Sequence, residues 1–185
     1  MGFEKGKSDS ASSIRMKAKL IQFILICGAG CLGVFVYLSQ QTSPSPAAKL
    51  LEARLLDLAG DSVTINHWNG KIRVINFWAT WCSPCLREIP LLIDLQENIQ
   101  SKRAQVLGIG IDDAAKLRQF AVKYKINYPV LVGGGAGLEL SSQLGNVGGG
   151  IPYTVVLDES GDIIVKIAGE IDEKKIKLLK SLFEL

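Results

Sequence analysis

The length, charge and composition of the chain limit what it can be. It has 185 residues and a net charge of +3, which suits one compact domain with an appendage. Residues 49–185 carry sixteen basic and sixteen acidic side chains, so the whole net charge belongs to residues 1–19. A folded part without net charge lacks the basic surface that nucleic-acid binding requires, and we exclude that function class.

An apolar segment near the N-terminus, residues 20–38, predicts a transmembrane anchor. It has nineteen residues with one polar side chain, Gln22, and no charge. At about 1.5 Å per residue it is just long enough to cross a hydrocarbon layer of about 30 Å. The alternative is a cleaved signal peptide with a small-residue site at 45–47, although the apolar run is longer than such peptides use.

The charge asymmetry around this segment predicts its orientation. Residues 1–19 contain five basic and two acidic side chains, whereas no charged residue follows the apolar segment until Lys49. The positive-inside rule then makes residues 1–19 a cytoplasmic basic tail. We therefore expect a single-pass protein of the inner (cytoplasmic) membrane, with its C-terminal domain in the periplasm.

Residues 39–49 are predicted to be a proline-bearing linker, and residues 50–185 to be the folded domain. Apolar periodicity and turn residues predict the following elements: a hairpin in 53–68 turning at Gly60–Asp61, a buried strand over 71–79, a helix over 84–99, a buried strand over 105–111, a helix capped by Asp112 or Asp113 and ending near Tyr124, a short strand over 128–132, one or two helical turns within 137–145, a hairpin in 153–169, and a last helix capped by Asp172. This order predicts an α/β fold with a mixed central sheet flanked by helices.

Two cysteines three positions apart, Cys82 and Cys85, are the clearest candidates for chemistry. The helix predicted from Pro84 places Cys82 at or just before its first turn, where unpaired N–H groups and the helix dipole stabilise a thiolate. Cys85 lies one turn further into the helix. This placement predicts an exposed nucleophile, Cys82, and a less accessible resolving thiol, Cys85.

A metal site and a structural disulfide are the other uses of this spacing. Zinc needs two further ligands, but Cys27 and Cys31 lie in the predicted anchor and His67 is the single histidine of the sequence. A copper-relay site also lacks a downstream histidine. A structural disulfide that closes so short a loop stabilises little. Redox chemistry without a metal or another cofactor is therefore favoured.

Two longer segments, GKIRVINFWATWCSPCLREIPLL (70–92) and GGIPYTVVLDESGDIIVKIAG (149–169), carry a family resemblance. Together with the predicted anchor, they resemble the membrane-anchored thiol–disulfide oxidoreductases of the TlpA/ResA type, within the thioredoxin superfamily. The resemblance extends over residues 50–185. It implies a thioredoxin-like fold with a redox disulfide between Cys82 and Cys85.

The resemblance also implies roles for residues around the dithiol. Pro152 matches the family's cis-proline, and the residue before it, Ile151, would expose its backbone to pair with an extended substrate. Asn76 stands where thioredoxins proper carry a buried aspartate. The TlpA/ResA branch has instead a glutamate three residues after the second cysteine. Glu88 occupies that place and would take the proton from Cys85.

Other interpretations of these residues stay open at this point. Glu88 is also explained as a solvated carboxylate, which is favoured near a helix N-terminus. Pro152 is also explained as an ordinary proline at the start of a strand. Trp81 is expected to border the active face, and Pro84, between the two cysteines, is expected to tune the redox potential.

The resemblance implies that the protein reduces disulfides of exported proteins, for example in cytochrome c maturation or copper-site assembly. A DsbD-like membrane thiol carrier would supply the electrons, because the periplasm offers no soluble reductant of its own. The alternatives are an oxidase or isomerase of disulfides, a peroxidase, and a thiol metallochaperone that binds copper through Cys82 and Cys85. A peroxidase typically has a single attacking cysteine with a threonine two or three positions earlier, whereas here Thr80 precedes a pair.

Overall fold

A computed structural model describes residues 46–99 and 103–183 of the chain. Its elements are α1 (Pro46–Glu52), β1 (Arg54–Asp57), β2 (Ser62–Thr64), a 3₁₀ helix (Ile65–Trp68), β3 (Ile72–Trp78), α2 (Ser83–Ile99), β4 (Ala104–Gly110), α3 (Ala114–Lys123), β5 (Val130–Val132), α4 (Gly134–Gln143), β6 (Tyr153–Leu157), β7 (Ile163–Ala168) and α5 (Glu173–Ser181). Among these described residues, no helix is long and apolar enough to cross a membrane. The predicted tail, the anchor at 20–38 and the two cysteines within it lie outside the described residues.

The strands form one mixed sheet in the order β2-β1-β5-β4-β3-β6-β7. The pairs β3–β4 and β4–β5 are parallel, and the other neighbouring strands are antiparallel. The apolar run that predicts a buried central strand is β3, which lies between β4 and β6 and is buried from Arg73 to Trp78. The predicted α/β fold with a mixed, helix-covered sheet is confirmed.

Alternate residues of β3 pack into cores on opposite faces of the sheet. Val74 and Trp78 belong to the core that α2 and α5 cover. Ile75 and Phe77 belong to the core on the side of α1 and α4. Because side chains alternate along a strand, Asn76 points to the same face as Val74 and Trp78. This buried amide is therefore placed to meet a polar partner from α2.

Helix α2 begins directly after the turn that follows β3, so the first residues of its motif lie at the carboxyl end of the central strand. Its buried residues recur at helical spacing: Cys85, Glu88, Ile89, Leu92, Leu95, Gln96 and Ile99. Ile89 is fully buried, whereas Leu86 and Ile93 are partly buried. Pro90 is exposed, and the helix continues past it to Ile99.

Two glycines of β4 let neighbouring groups lie close against the sheet. A Cβ at Gly108 would come within 2.9 Å of Trp78 Nε1, and a Cβ at Gly110 would overlap the side chain of Leu117 in α3. Larger residues at either position would push the indole or α3 away from the strand. The absence of a side chain at Gly108 and Gly110 thus allows Trp78 and helix α3 to pack closely against β4.

Several local predictions were wrong at the element boundaries. Helix α1 occupies the last residues of the predicted linker 39–49, and its Ala47 and Leu50 are buried, so the folded part begins earlier than predicted. A 3₁₀ helix replaces the end of the first predicted hairpin. Helix α4 has ten residues rather than one or two turns within 137–145.

The helix caps agree with the sequence. Asp113 caps α3, and its side chain accepts the N–H of Lys116 at 2.9 Å. Asp172 caps α5, and its side chain accepts the N–H of Lys175 at 2.9 Å. In both cases an acidic side chain satisfies a donor of the first turn that has no partner within the helix.

Candidate active site

The two cysteines of the motif form a disulfide, with an S–S distance of 2.04 Å and Cα atoms 5.3 Å apart. Cys82 immediately precedes α2, and its carbonyl accepts the N–H of Leu86 at 3.1 Å, which starts the helix. The N–H of Cys85 lies 3.3 Å from Cys82 Sγ. A backbone donor aimed at this sulfur stabilises it as a thiolate once the disulfide is reduced.

The two cysteines differ in accessibility, but less than the sequence predicts. Cys82 is 5% exposed and Cys85 is fully buried. Cys82 is therefore the more accessible of the two residues, although it is not openly exposed. Trp81, next to it in the chain, is 66% exposed. Pro84 lies in the first turn of α2 and is partly buried.

The Ile151–Pro152 peptide bond is cis, as the resemblance implies. The carbonyl oxygen of Ile151 lies 3.6 Å from Cys82 Sγ. Because the disulfide sulfur carries no proton, this is a contact in the oxidised state rather than a hydrogen bond. Pro152 is buried and Ile151 is partly exposed. The fold thus brings the backbone predicted to receive a substrate strand directly against the more accessible sulfur.

Glu88 is fully buried, so its interpretation as a solvated carboxylate is wrong. Its Oε1 accepts a hydrogen bond of 2.8 Å from Asn76 Nδ2, and its Oε2 accepts one of 2.7 Å from the N–H of Ile171. Burial raises the pKa of Glu88 to about 7, although both hydrogen bonds act to lower it. A carboxyl with this pKa gains and loses a proton near neutral pH.

Asn76 connects three elements of the site. Besides Glu88 on α2, its Nδ2 contacts Thr154 Oγ1 on β6 at 3.0 Å, and the two residues are directly paired across the strands. Asn76, Glu88 and Thr154 are all fully buried. The amide therefore holds the carboxyl in place without adding a second ionisable group at this point.

Sequence reasoning missed Thr154 and the backbone N–H of Ile171. The position of Thr154 two residues after the predicted cis-proline was a usable signal, because alternation on β6 turns it towards the face of Asn76. No local signal marks Ile171, whose contribution is a main-chain N–H just before the capping residue of α5. His67, by contrast, is exposed and packs edge-on against Trp68 with ring centroids 5.0 Å apart, as a surface residue would.

Thr80 and Asp112 form a second polar pair, at the carboxyl ends of β3 and β4. The hydroxyl of Thr80 donates to Asp112 Oδ2. Burial acts to raise the pKa of Asp112, but hydrogen bonds from Thr80, from the N–H of Asp113 and from Lys116 outweigh it and lower the pKa. Thr80 is thus bonded to a carboxylate. Within the described residues, no group of three or more His, Cys, Asp or Glu side chains could hold a metal ion.

A disulfide on a strand-to-helix turn, facing a cis-proline on a mixed α/β sheet, defines the class of thioredoxin-like thiol–disulfide oxidoreductases. Comparisons with known proteins agree. The chain belongs to the AhpC/TSA family, whose sequence model matches residues 44–166.

Individual relatives support the same class. The thiol-disulfide oxidoreductase ResA of Bacillus thuringiensis subsp. konkukian (strain 97-27) is 25% identical over 167 residues, which cover 88% of this chain and 93% of that protein. The thioredoxin-like protein YneN of Bacillus subtilis (strain 168) is 32% identical over 130 residues, covering 66% of this chain and 71% of that protein. The crystal structure of a thioredoxin-family thiol:disulfide interchange protein from Chlorobium tepidum TLS has a TM-score of 0.64 at 24% identity, covering 77% of this chain and 98% of that chain. This likeness shows the thioredoxin-like fold, and the predicted resemblance to the ResA type is confirmed.

Proposed function

We propose that the chain is a membrane-anchored reductase that opens disulfides of exported proteins with the dithiol of Cys82 and Cys85. The observation that carries the proposal is the buried carboxyl of Glu88, one helical turn beyond Cys85 on the same face of α2. It gives the less accessible thiol a proton acceptor with a pKa of about 7. The reducing direction rests on the resemblance to the TlpA/ResA branch.

The first step is attack by the accessible sulfur. The Cys82 thiolate, stabilised by the N–H of Cys85 and the start of α2, attacks one sulfur of the client disulfide. A bond forms between Cys82 and that sulfur, and the other client sulfur leaves as a thiolate. The backbone of Ile151, which contacts Cys82 Sγ through its carbonyl, positions the client strand during this step.

The second step releases the client. The Cys85 thiol gives its proton to the carboxylate of Glu88 and attacks Cys82 Sγ, which forms the disulfide seen in the structure. The second client sulfur leaves as a thiolate and takes up a proton from water. The net reaction converts an enzyme dithiol and a client disulfide into an enzyme disulfide and a client dithiol.

The enzyme disulfide must then be reduced by another dithiol, which returns two electrons and two protons. A DsbD-like membrane thiol carrier fits this role, because the predicted anchor at 20–38 would hold the domain beside it on the periplasmic side of the inner membrane. Clients of cytochrome c maturation or copper-site assembly fit the resembled branch.

Trapping of mixed disulfides tests the proposal. In the full-length protein in its membrane, Cys85→Ala should accumulate a long-lived mixed disulfide through Cys82, because the resolving thiol is missing. Cys82→Ala should trap little, since Cys85 is fully buried and cannot reach a protein disulfide. Mass spectrometry of the trapped species then identifies the partner. Equal trapping by both variants would refute this division of roles.

The same preparation separates the alternatives. A reduction potential of about −270 mV for the Cys82–Cys85 pair supports a reductase, whereas one of about −120 mV indicates an oxidase. Trapping by neither variant, together with stoichiometric copper binding by the reduced protein, would favour a metallochaperone. Rapid turnover of a peroxide would favour a peroxidase, although Thr80 donates its hydroxyl to Asp112 and is not free for such a role.

A further inference from the structure

Residues 169–171, between β7 and α5, cover the buried carboxyl of Glu88; we call them the covering segment. At one end, the N–H of Gly169 donates to the carbonyl of Pro152 at 3.0 Å. At the other end, the N–H of Ile171 donates to Glu88 Oε2 at 2.7 Å, and the side chain of Ile171 is fully buried. The covering segment therefore touches both the cis-proline and the proton acceptor of the site.

An ion pair holds this segment from outside. Nε of Arg87 lies 3.0 and 3.1 Å from the two carboxylate oxygens of Glu170, and its Nη2 lies 2.5 Å from Oε2. Nζ of Lys175 donates to the carbonyl of Glu170 at 2.7 Å. The side chains of Arg87 and Glu170 are 60% and 32% exposed, so water and salt can reach the pair. Because Arg87 precedes Glu88 in α2, the Arg87–Glu170 ion pair holds the covering segment next to the carboxyl of Glu88.

The position of Glu88 leaves its proton without a direct way out. After this carboxyl has taken the proton of Cys85, it must return it to water, yet it is fully buried. Its carboxylate accepts hydrogen bonds from the side chain of Asn76 on β3 and from the backbone of Ile171 in the covering segment. Of these two donors, Ile171 lies in a connection between elements rather than in a helix or strand. Local opening costs least in such connections.

We propose that the covering segment is the gate through which Glu88 exchanges its proton with water, and that Arg87 and Glu170 are positioning residues that hold it closed. This inference rests on the proposed function, because the proton concerned is that of Cys85. With the gate closed, the Cys85 thiol gives its proton to the carboxylate of Glu88. With the gate open, the carboxyl gives that proton to a water molecule. No electron moves in this transfer, and no further reactant is needed.

The charged and titratable groups that face Glu88 come from several elements. Glu170 in the covering segment raises the pKa of the buried carboxyl, and Lys175 in α5 lowers it. Tyr128, ahead of β5, is also buried, and burial and the charge of Glu88 raise the pKa of its phenol far above the usual range. Arg87 is the residue before Glu88 in α2. Burial remains the largest influence on the carboxyl.

Burial therefore links the state of the gate to pH. The closed gate keeps the pKa of Glu88 at about 7, whereas an open gate hydrates the carboxyl and returns the pKa towards its ordinary value of 4.5. Because the open form binds the proton less tightly, the equilibrium constant for opening must rise as pH passes from about 4.5 to 7. The difference in pKa corresponds to an increase of about 100-fold between pH 4.5 and 8.

Hydrogen exchange of the Ile171 amide measures this opening in the full-length, oxidised protein. Rates are recorded between pH 4.5 and 8 and divided by the intrinsic exchange rate of an unprotected amide. In the wild type, the resulting opening constant should rise through the range in which Glu88 titrates. In Glu88→Gln, which removes the titrating group but keeps its size, the opening constant should be independent of pH.

The role of the ion pair is tested by one substitution and a matched control. Arg87→Gln should raise the opening constant about two- to fivefold at every pH, which is the range that an exposed ion pair contributes. Lys180→Gln breaks a different ion pair, Lys180–Asp94 at 2.6 Å between α5 and α2, without touching the covering segment. In this variant the opening constant measured at the Ile171 amide should equal that of the wild type.

Two results would overturn the gate. One is an opening constant that does not change with pH in the wild type, and the other is equal exchange in Arg87→Gln and Lys180→Gln. These rates are measured without a client or an electron donor. A wild type that shows the expected exchange but reduces no disulfide would therefore refute the proposed function and leave the gate standing.

Discussion

Asn76 Nδ2 donates a hydrogen bond of 2.8 Å to Oε1 of Glu88, and this contact joins the central strand to the helix that carries the dithiol. Asn76 cannot itself accept or lose a proton near neutral pH. Glu88 is therefore the group that titrates at this point of the core, and burial places its pKa at about 7.

Glu88→Gln should slow the release of the client more than its capture. The glutamine fits if the amide of Asn76 turns over, because Asn76 Oδ1 has no hydrogen-bond partner among the described residues and could accept from the new amide. Without a proton acceptor for Cys85, resolution of the mixed disulfide should slow on the order of 100-fold. Attack by Cys82 should keep its rate.

Rapid-quench measurement of both steps with a disulfide peptide checks this separation. A matched control is Glu97→Gln, which changes an exposed carboxyl on the same helix. If Glu88→Gln leaves both rates and the titration of Cys85 unchanged, Glu88 has no part in proton transfer.

Glu88 should also make the stability of the oxidised protein depend on pH. Its pKa is raised by folding, from 4.5 to about 7, so the folded state binds the proton more tightly than the unfolded state. The favourable contribution is complete below about pH 4.5 and is lost as pH rises through 7. A shift of this size corresponds to roughly 3 kcal/mol, since one pKa unit is worth about 1.4 kcal/mol.

Urea unfolding at pH 4.5, 6 and 8 measures this contribution as the difference between the wild type and Glu88→Gln. As pH rises, the free energy of unfolding of Glu88→Gln should increase relative to that of the wild type. Glu97→Gln should show no such trend. A difference that stays constant across the three pH values contradicts a raised pKa at Glu88.

Asn76→Asp should create a pair of carboxyl groups that share a proton. This substitution restores the residue of thioredoxins proper but retains Glu88 within hydrogen-bonding distance. Two buried carboxylates so close cannot both ionise easily, so the upper apparent pKa of the pair should exceed that of Glu88 in the wild type. Carbon-13 NMR of the carboxyl groups measures it, with the exposed Asn98→Asp as control. An upper pKa at or below the wild-type value would show that the two groups do not interact.

The charge asymmetry around residues 20–38 predicts which side of the membrane the dithiol occupies. A phosphatase fused after residue 45 should be active, because the enzyme folds only on the periplasmic side. The control is a fusion after residue 19, which should be inactive. An inactive fusion after residue 45 would contradict the predicted orientation and the proposed periplasmic location of the dithiol.

The sequence predicts the position of the dithiol because local rules determine it. The apolar run of β3 ends at Trp78, a proline suited to a first helical turn stands at position 84, and Cys82 falls between them. The caps at Asp113 and Asp172 follow from equally local rules. The position of the dithiol and these two caps were therefore predicted correctly.

The length of α4 and the burial of Glu88 depend on contacts between residues far apart in the sequence, so local patterns did not predict them. Gly134, Gly135 and Gly137 argue against a long helix on propensity alone. In the fold, however, a Cβ at Gly137 would lie 3.1 Å from the side chain of Ile109, so small residues let α4 pack against β4. Likewise, the burial of Glu88 depends on the covering segment, which is far away in the sequence.

This separation along the chain has a consequence for biosynthesis. Thr154 lies 78 residues after its partner Asn76, and Ile171 lies 83 residues after Glu88. Contacts of such separation form late, and a chain emerges from the ribosome N-terminus first. A nascent polypeptide that already displays Cys82 and Cys85 therefore lacks the enclosure that gives Glu88 its proton affinity. Until its last part has been made, the chain carries the two cysteines without the buried carboxyl that we propose as the proton acceptor of Cys85.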